Sequence, residues 1–167
     1  ELIPVERQTI TAEGEEIKPE FLGRFQKRAK ELGIWMMEVP EEYGGPGLTL
    51  LQRTIIVEEL SRTIALPARG EGITGPSVRH ILFTLTGALK EKYLLPVLRG
   101  EKKVAFAQTE PDAGSDPGGM RTTAVRDGDH YVINGTKRFI TGANKAHFMQ
   151  LMAATDRSKG SHGGISC

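Results

Sequence analysis

The sequence predicts a multi-domain α and β protein, with an N-terminal all-α helical domain over residues 1–101 and an incomplete antiparallel β-barrel domain over residues 102–167. Three observations predict this fold class. Apolar residues recur at helical spacing in the first part, and the period of the pattern drops to two after residue 102. The dipeptides Asp127–Gly128 and Asn134–Gly135 also separate the later apolar runs. Such dipeptides are strong hairpin signals because both central residues of a type I′ turn need positive φ.

The first predicted helix begins at Pro19 and ends at Gly33. Proline is favoured at the first helical position, and glycine is favoured just after the last turn. The apolar residues between these two recur on one stripe, which we expect to face the core. The stripe consists of Phe21, Phe25, Ala29 and Leu32.

Further helices are predicted in the next fifty residues. One begins after Thr49, because Thr49 and Gln52 have the spacing of a capping box. Its inward face is expected to carry Leu51, Ile55, Leu60 and Ile64. Another follows Pro76 and carries Val78, Ile81, Leu82 and Leu85. The last carries Leu89, Tyr93 and Leu94 ahead of Pro96, and Gly100 closes it.

The strands of the second domain are predicted to be short. "KVAFAQT" is expected to form one strand, "RTTAVRDGDHYVINGTKRFIT" three, and "AHFMQLMAATD" a further one. A set of four or five such strands leaves an unpaired edge. The sequence begins without Met and stops at "GGISC", where a strand starts, so we expect it to be a fragment of something longer.

The composition is that of an ordinary soluble globular protein. The chain has 167 residues, 38% of them hydrophobic and 26% charged, and a net charge of +1, which argues against nucleic acid or an anionic membrane surface as a partner. The only cysteine, Cys167, leaves no disulfide framework and no cysteine-based metal site. No apolar run is long enough for a membrane span, and no signal-peptide pattern opens the chain. We expect a reducing compartment, the cytoplasm of a bacterium rather than the mitochondrial matrix.

Several kinds of site can be set aside. The glycines of "AGSDPGG" do not form the dinucleotide-binding fingerprint, and Ser115 has neither a nucleophile-elbow context nor a nearby histidine. The four histidines lack metal-ligand spacing, so no metal is expected; they are His80, His130, His147 and His162. The loop acids Glu110, Asp112 and Asp116 could form an acid/base pair, but such acids are more often turn formers or solvated charges.

The loop in "AFAQTEPDAGSDPGGMRTTA" offers the clearest functional signal. Thr109 and Ser115 present hydroxyls, Ala113–Gly114 leaves backbone amides uncovered, and Gly118–Gly119 lets the chain turn freely. Such a loop can donate N–H and O–H groups to a phosphate or to the polar edge of a ring. From the residues alone, a ligand-binding loop and a plain glycine-rich barrel loop remain about equally well supported.

The motifs resemble those of the acyl-CoA dehydrogenases, FAD-dependent enzymes of fatty-acid and amino-acid breakdown. "FAQTEPDAGSD" is similar to the flavin-binding loop of that family, and "GDHYVINGTKRFITGA" to the hairpin and strand that follow it. "PEEYGGPGL" and "KEKYLLPVLRGE" occur upstream in the family's order. The resemblance covers essentially the whole chain, as the N-terminal helical domain and part of the middle β-barrel domain.

The resemblance implies a set of FAD-binding residues. In the family, the matching positions line the isoalloxazine ring, and those of the Gln108 backbone and Thr109 bind its pyrimidine edge. The position of Ser115 reaches the pyrophosphate, and the hydroxyl at the position of Thr141 lies near flavin N5. Ser115 would also touch the CoA pantetheine. Many members carry Trp at the Phe139 position and a small apolar residue at Gln108. The implied residues are Phe106, Gln108, Thr109, Gly114, Ser115, Phe139, Ile140 and Thr141.

The implied reaction is α,β-dehydrogenation of an acyl-CoA thioester, with hydride transfer to flavin N5 and electrons passed to an electron-transfer flavoprotein. A homo-oligomer, tetramer or dimer, is expected, as in β-oxidation enzymes of the family. The family's catalytic base is a glutamate of a C-terminal domain that these residues do not include, so we expect no catalytic residue here and no activity from these residues alone. The alternatives are an acyl-CoA oxidase or flavin monooxygenase on the same fold, and a non-catalytic acyl- or protein-binding module. The residues from Ile73 to Phe83 could border the acyl pocket or belong to the core.

Overall fold

The computed structural model describes residues 2–11, 16–63 and 72–167. The chain divides into two compact units, Glu1–Glu101 and Lys102–Cys167. The first unit carries the helices and the second carries the strands, which confirms the predicted fold class of a helical part followed by an incomplete set of strands. Among the described helices, none combines the length and the apolar character that a transmembrane span requires.

The first long helix begins and ends where its flanking proline and glycine predict. After a short helix α1 (Glu6–Thr9), helix α2 spans Pro19–Glu31, with proline at its first position. Gly33 follows with φ of 69°, a left-handed conformation that costs glycine little. The predicted stripe is buried at Phe25 and Ala29, and the core of this unit is a cluster of Ile17, Phe25 and Ile73. Leu32 is exposed because it lies beyond the last helical residue.

The predicted capping box opens the next helix, α3 (Leu50–Leu60). The backbone N–H of Gln52 donates to the Thr49 hydroxyl over 3.3 Å, and the backbone N–H of Thr49 donates to the Gln52 side-chain oxygen over 2.8 Å. Two amides that an isolated helix end leaves unpaired are therefore satisfied.

The inward orientation predicted for α3 is wrong. Leu51 is 69% exposed and Ile55 is 56% exposed, while Leu60 is half-buried. Ile64 lies outside the described residues. Apolar spacing identifies the face of a helix that gains from burial, but it does not supply the surface that would cover that face.

The helix predicted after Pro76 is a short 3₁₀ turn, His80–Thr84, although Val78 and Leu82 are buried as apolar residues should be. The last helical stretch forms from α4 (Gly87–Leu89), a π-helical turn (Lys90–Leu94) and α5 (Leu95–Leu98). Pro96 explains the π turn, because its missing N–H and its ring disrupt the α-helical bonding of the preceding turn. Gly100 then ends the stretch with φ of 74°.

The second unit contains two sheets. Strand β1 (Val104–Ala107) pairs in parallel with β4 (Phe148–Leu151). A four-stranded sheet has the order β3-β2-β5-β6, made of β2 (Thr123–Asp127), β3 (His130–Asn134), β5 (Ala153–Ala154) and β6 (Ile165–Ser166). The hairpin predicted at Asp127–Gly128 is confirmed as an antiparallel pair in which Asp127 faces His130. Because β2 also pairs in parallel with β5, the pairing is mixed rather than purely antiparallel.

The third strand predicted from "GTKRFIT" is wrong, since residues 135–140 form no strand. The chain leaves β3 at Gly135, where an added Cβ would lie 2.5 Å from Thr122 Cα, so only glycine fits there. The Arg138 N–H then donates to the Thr109 carbonyl over 2.8 Å, and Phe139 adopts φ of 56°. The Arg138 N–H, which a strand would use in a ladder, binds the β1–β2 loop instead.

Candidate functional site

The loop between β1 and β2 is built from turns formed by its own acids. The Glu110 N–H donates to the Ala113 carbonyl over 2.7 Å, and the Asp116 carboxylate accepts from the Gly118 N–H over 2.8 Å. Asp112 pairs with Arg121 at 3.0 Å, and both side chains are largely exposed. Asp112 is therefore a solvated, paired charge and Asp116 a turn former, which are the more common roles that the sequence predicts for such loop acids.

Glu110 behaves differently, because it is buried beneath the loop. One of its carboxylate oxygens accepts from the Arg121 N–H over 2.6 Å, and the other accepts from the Thr122 N–H over 3.0 Å. The second oxygen also accepts from Lys137 Nζ over 2.8 Å. The side chains of Lys137 and Glu110 are 9% and 3% exposed, so this ion pair is shielded from water.

The surroundings of Glu110 hold it in the charged form. Burial by itself raises the pKa of its carboxyl, but the hydrogen bonds from Lys137 and from the two backbone amides outweigh burial and lower the pKa from 4.5 to about 2. Glu110 is therefore ionised at neutral pH, and it is far too weak a base to remove a proton from a carbon acid.

Lys137 and its neighbour join the loop to the segment after β3. Lys137 Nζ donates to the Gln108 carbonyl over 3.0 Å, and the Arg138 N–H donates to the next carbonyl, that of Thr109, over 2.8 Å. The Gln108 side-chain amide donates to the Gly114 carbonyl over 3.4 Å. Two stretches that the sequence separates by about thirty residues thus form one surface.

The two joined stretches also carry side-chain hydroxyls that have no hydrogen-bond partner among the described residues. The hydroxyls of Thr109, Ser115 and Thr141 make no hydrogen bond to any residue that the structure describes. Phe139 is 77% exposed, with the Arg138 guanidinium 4.3 Å from its ring centroid. Its positive φ costs a non-glycine residue about 1–3 kcal/mol, and such strain is concentrated at functional sites. An exposed aromatic ring and unpaired hydroxyls on two joined segments are chemically suited to a flat ligand with a polar edge.

The predicted site residues fall into two groups. Gln108 and Thr109 are bonded to the segment that leads into Phe139, and Gly114 is bonded to the Gln108 side chain. The other group consists of residues within two positions of these along the chain. Phe106 is half-buried in β1, Ser115 and Thr141 are exposed, and Ile140 is half-buried and accepts from the Ala143 N–H over 3.2 Å.

Lys137 was not predicted as a site residue, and Glu110 was considered only as a loop acid. A lysine in a polar stretch looks like a surface charge, and only the glycine at 135 signals a close backbone approach nearby. Gln150 was also missed. It is the register partner of Phe106, it is buried, and neither atom of its side-chain amide has a hydrogen-bond partner among the described residues.

Two of the histidines have polar partners within the described ranges. His130 pairs with Asp129 and Asp127 on the exposed hairpin, and the His147 ring accepts from the Lys103 N–H over 3.0 Å. Within the residues that the structure describes, no group of three or more His, Cys, Asp or Glu side chains could hold a metal ion.

Comparison with known proteins gives matches along the chain. The family described as "Acyl-CoA dehydrogenase, N-terminal domain" matches residues 1–101, and "Acyl-CoA dehydrogenase, middle domain" matches residues 105–167. A 3-(aryl)acrylate reductase of Clostridium sporogenes is 44% identical over 147 residues, which is 86% of this chain and 38% of that protein. The caffeyl-CoA reductase-Etf complex subunit CarC of Acetobacterium woodii is 39% identical over 149 residues, with the same two coverages.

Solved structures agree with these matches. The butyryl-CoA dehydrogenase of Megasphaera elsdenii superimposes with a TM-score of 0.69 at 33% identity, over 98% of this chain and 42% of that chain. The chain thus spans about two fifths of the length of the proteins that it matches.

Proposed function

The chain belongs to the acyl-CoA dehydrogenase family, and on that premise we propose that the whole protein catalyses FAD-dependent α,β-dehydrogenation of an acyl-CoA thioester. One observation carries the proposal. The loop with the "FAQTEPDAGSD" motif is bonded to the "KRFIT" segment, and the two joined segments carry unpaired hydroxyls and an exposed aromatic ring.

We assign the FAD-binding role to the eight predicted residues, because their chemistry suits a flavin. Phe106, Phe139 and Ile140 offer apolar or aromatic surface for the ring. The Gln108 backbone and the Thr109 hydroxyl suit its pyrimidine edge, and the Thr141 hydroxyl suits its N5 edge. Gly114 and Ser115 suit the pyrophosphate, since a small residue leaves the backbone open and Ser115 is exposed with an unpaired hydroxyl. Ser115 is also proposed to contact the pantetheine of the substrate.

When bound, FAD supplies the two-electron chemistry by accepting a hydride from the substrate β-carbon at N5. The residues of this chain orient the ring and stabilise the charge that it gains. Each preorganised donor aimed at developing charge contributes about 3 kcal/mol of transition-state stabilisation. Holding two reactants in register removes a further entropic part of the barrier.

The base that removes the α-proton is proposed to lie outside these 167 residues. Glu110 is bound to Lys137 and two backbone amides, and its pKa of about 2 excludes it as a base at neutral pH. Asp112 and Asp116 are occupied as turn-forming or paired surface charges. We accordingly infer that these residues alone have no dehydrogenase activity.

An electron-transfer flavoprotein is proposed as the electron partner, in a homo-oligomeric enzyme of the bacterial cytoplasm. The relative CarC is named as a subunit of a reductase-Etf complex, which supports this partner. A second candidate is the reverse reaction, reduction of an α,β-unsaturated acyl thioester. It is supported by the two relatives named as reductases.

The test uses the full-length protein under anaerobic conditions. We expect a yellow protein whose flavin absorbance is bleached by a saturated acyl-CoA and restored by an electron-transfer flavoprotein. Rapid restoration by air alone would indicate an oxidase or monooxygenase instead. Bleaching only by an external reductant, followed by reoxidation with an enoyl-CoA, would favour the reductase direction. A full-length protein without flavin would overturn the proposal and favour a non-catalytic module.

A further inference from the structure

The buried ion pair of Lys137 and Glu110 places its positive charge against the backbone of the loop that is proposed to bind the flavin. Lys137 Nζ lies between the Gln108 carbonyl, at 3.0 Å, and the Glu110 carboxylate, at 2.8 Å. The cationic end of the pair therefore contacts the backbone carbonyl of Gln108, while the anionic end accepts from the backbone amides of Arg121 and Thr122. Because both side chains are almost fully buried, this charge separation is weakly screened.

The ammonium acts on one particular peptide group. The carbonyl that it binds belongs to the peptide between Gln108 and Thr109, and the N–H of that same peptide is the Thr109 amide. A cation bound at the carbonyl oxygen polarises the peptide and makes its N–H a stronger donor, because hydrogen bonds in a chain strengthen one another. The next peptide carbonyl, that of Thr109, accepts from the Arg138 N–H. Hydrogen bonds therefore fix the peptide groups before and after Thr109.

Glu110 supplies the counter-charge of the Lys137 ammonium in this position. A buried charge without such a partner is strongly destabilising. The carboxylate is itself held by the backbone amides of Arg121 and Thr122, so it is fixed where the ammonium needs it. The low pKa of Glu110 agrees with an ion pair that persists at neutral pH.

We infer that Lys137, held in place by Glu110, is a positioning residue that polarises the Gln108–Thr109 peptide and raises the reduction potential of the flavin at this site. The inference rests on the proposed function, since it requires that FAD binds along this loop with its pyrimidine edge in reach of the Thr109 N–H as well as of the Thr109 hydroxyl. A donor strengthened at the pyrimidine edge stabilises the reduced, electron-rich ring more than the oxidised ring. The family match and the eight predicted residues do not assign this role to Lys137.

The test measures the midpoint potential of bound FAD in the full-length holoenzyme. We expect Lys137→Gln to shift the equilibrium toward oxidised flavin at least tenfold, which is about 30 mV for a two-electron couple. Lys137→Arg, which keeps the charge, should recover most of the wild-type potential. Lys159→Met is the matched control, because Lys159 also pairs with a carboxylate but is exposed, and it should leave the potential unchanged.

A second variant allows for the cost of a buried unpaired charge. If Lys137→Gln does not fold, the double variant Glu110→Gln/Lys137→Gln removes both charges and is better tolerated. It should lower the potential in the same direction. Loss of FAD from a folded neutral variant, with retention in Lys137→Arg, would show that Lys137 holds the cofactor rather than tunes its potential, and would overturn the inference. Unchanged potential and unchanged FAD affinity in the neutral variants would overturn it while leaving the proposed function intact. A wild-type protein that binds no FAD would overturn the proposed function itself.

Discussion

Replacing Glu110 with glutamine should remove an acid-sensitive part of the stability of the strand-containing unit. The folded pKa of Glu110 is about 2, below its ordinary value of 4.5, so the carboxylate stabilises the folded state above pH 4.5. That stabilisation is lost as the pH falls from 4.5 toward 2. At about 1.4 kcal/mol per pKa unit, the shift corresponds to about 3 kcal/mol of the free energy of unfolding.

The assay is urea unfolding at a series of pH values between 7 and 2.5, followed by far-UV circular dichroism and by hydrogen exchange of residues 121–134. For the wild type, we expect the free energy of unfolding to fall by about 1.4 kcal/mol per pH unit below pH 4.5 from this group alone. Glu110→Gln should be less stable at pH 7 by about 3 kcal/mol, because it leaves the buried Lys137 ammonium without its counter-charge.

The control is Asp112→Asn, an exposed acid of the same loop that pairs with Arg121. It should change the free energy of unfolding by less than about 1 kcal/mol and leave the acid dependence intact. The reasoning would be refuted if Glu110→Gln retained the wild-type fall in stability between pH 4.5 and 2.5. It would also be refuted if Glu110→Gln were as stable as the wild type at pH 7.

Three further substitutions test local features by thermal or urea unfolding. Thr49→Ala removes the capping box of α3 and should lower the free energy of unfolding by about 1 kcal/mol, whereas Thr49→Ser should retain it. Gly135→Ala places a Cβ against Thr122 and should destabilise by more than about 1 kcal/mol; Gly128→Asn, at an open turn position with φ of 62°, should be tolerated, and equal effects would contradict the clash. Gln150→Leu replaces a buried amide that has no partner among the described residues and should raise the stability by about 1–3 kcal/mol, while a loss would indicate that the amide is paired in the whole protein.

Signals that act over a few residues were predicted well. Pro19, Gly33, the Thr49–Gln52 box and the Asp127–Gly128 turn each act on backbone groups within one turn of the chain, so the residue types alone predict the local conformation. The burial of Phe25 and Ala29 followed from helical spacing for the same reason.

Signals that depend on a distant partner were predicted poorly. Leu51 and Ile55 are spaced for burial yet exposed, because spacing cannot show which surface covers a helix. The stretch 135–140 alternates like a strand, but Lys137 and Arg138 bind carbonyls of the β1–β2 loop instead of a neighbouring strand. Local preference competes there with tertiary hydrogen bonds, and the tertiary bonds win.

By itself, the sequence determined the fold class, the main helix and hairpin boundaries, and the family whose motifs the loop carries. Only the tertiary structure decided that Lys137 and Glu110, 27 residues apart, form a buried ion pair that binds the loop to the segment after β3. The physical reason is that neighbouring residues are enough to form a turn or a cap. The identity of a charged residue, in contrast, does not show whether its side chain lies on the surface or in the interior. The buried pair, and the low pKa that its hydrogen bonds give Glu110 in spite of burial, arise only when backbone amides and an ammonium from other parts of the chain converge on one carboxylate.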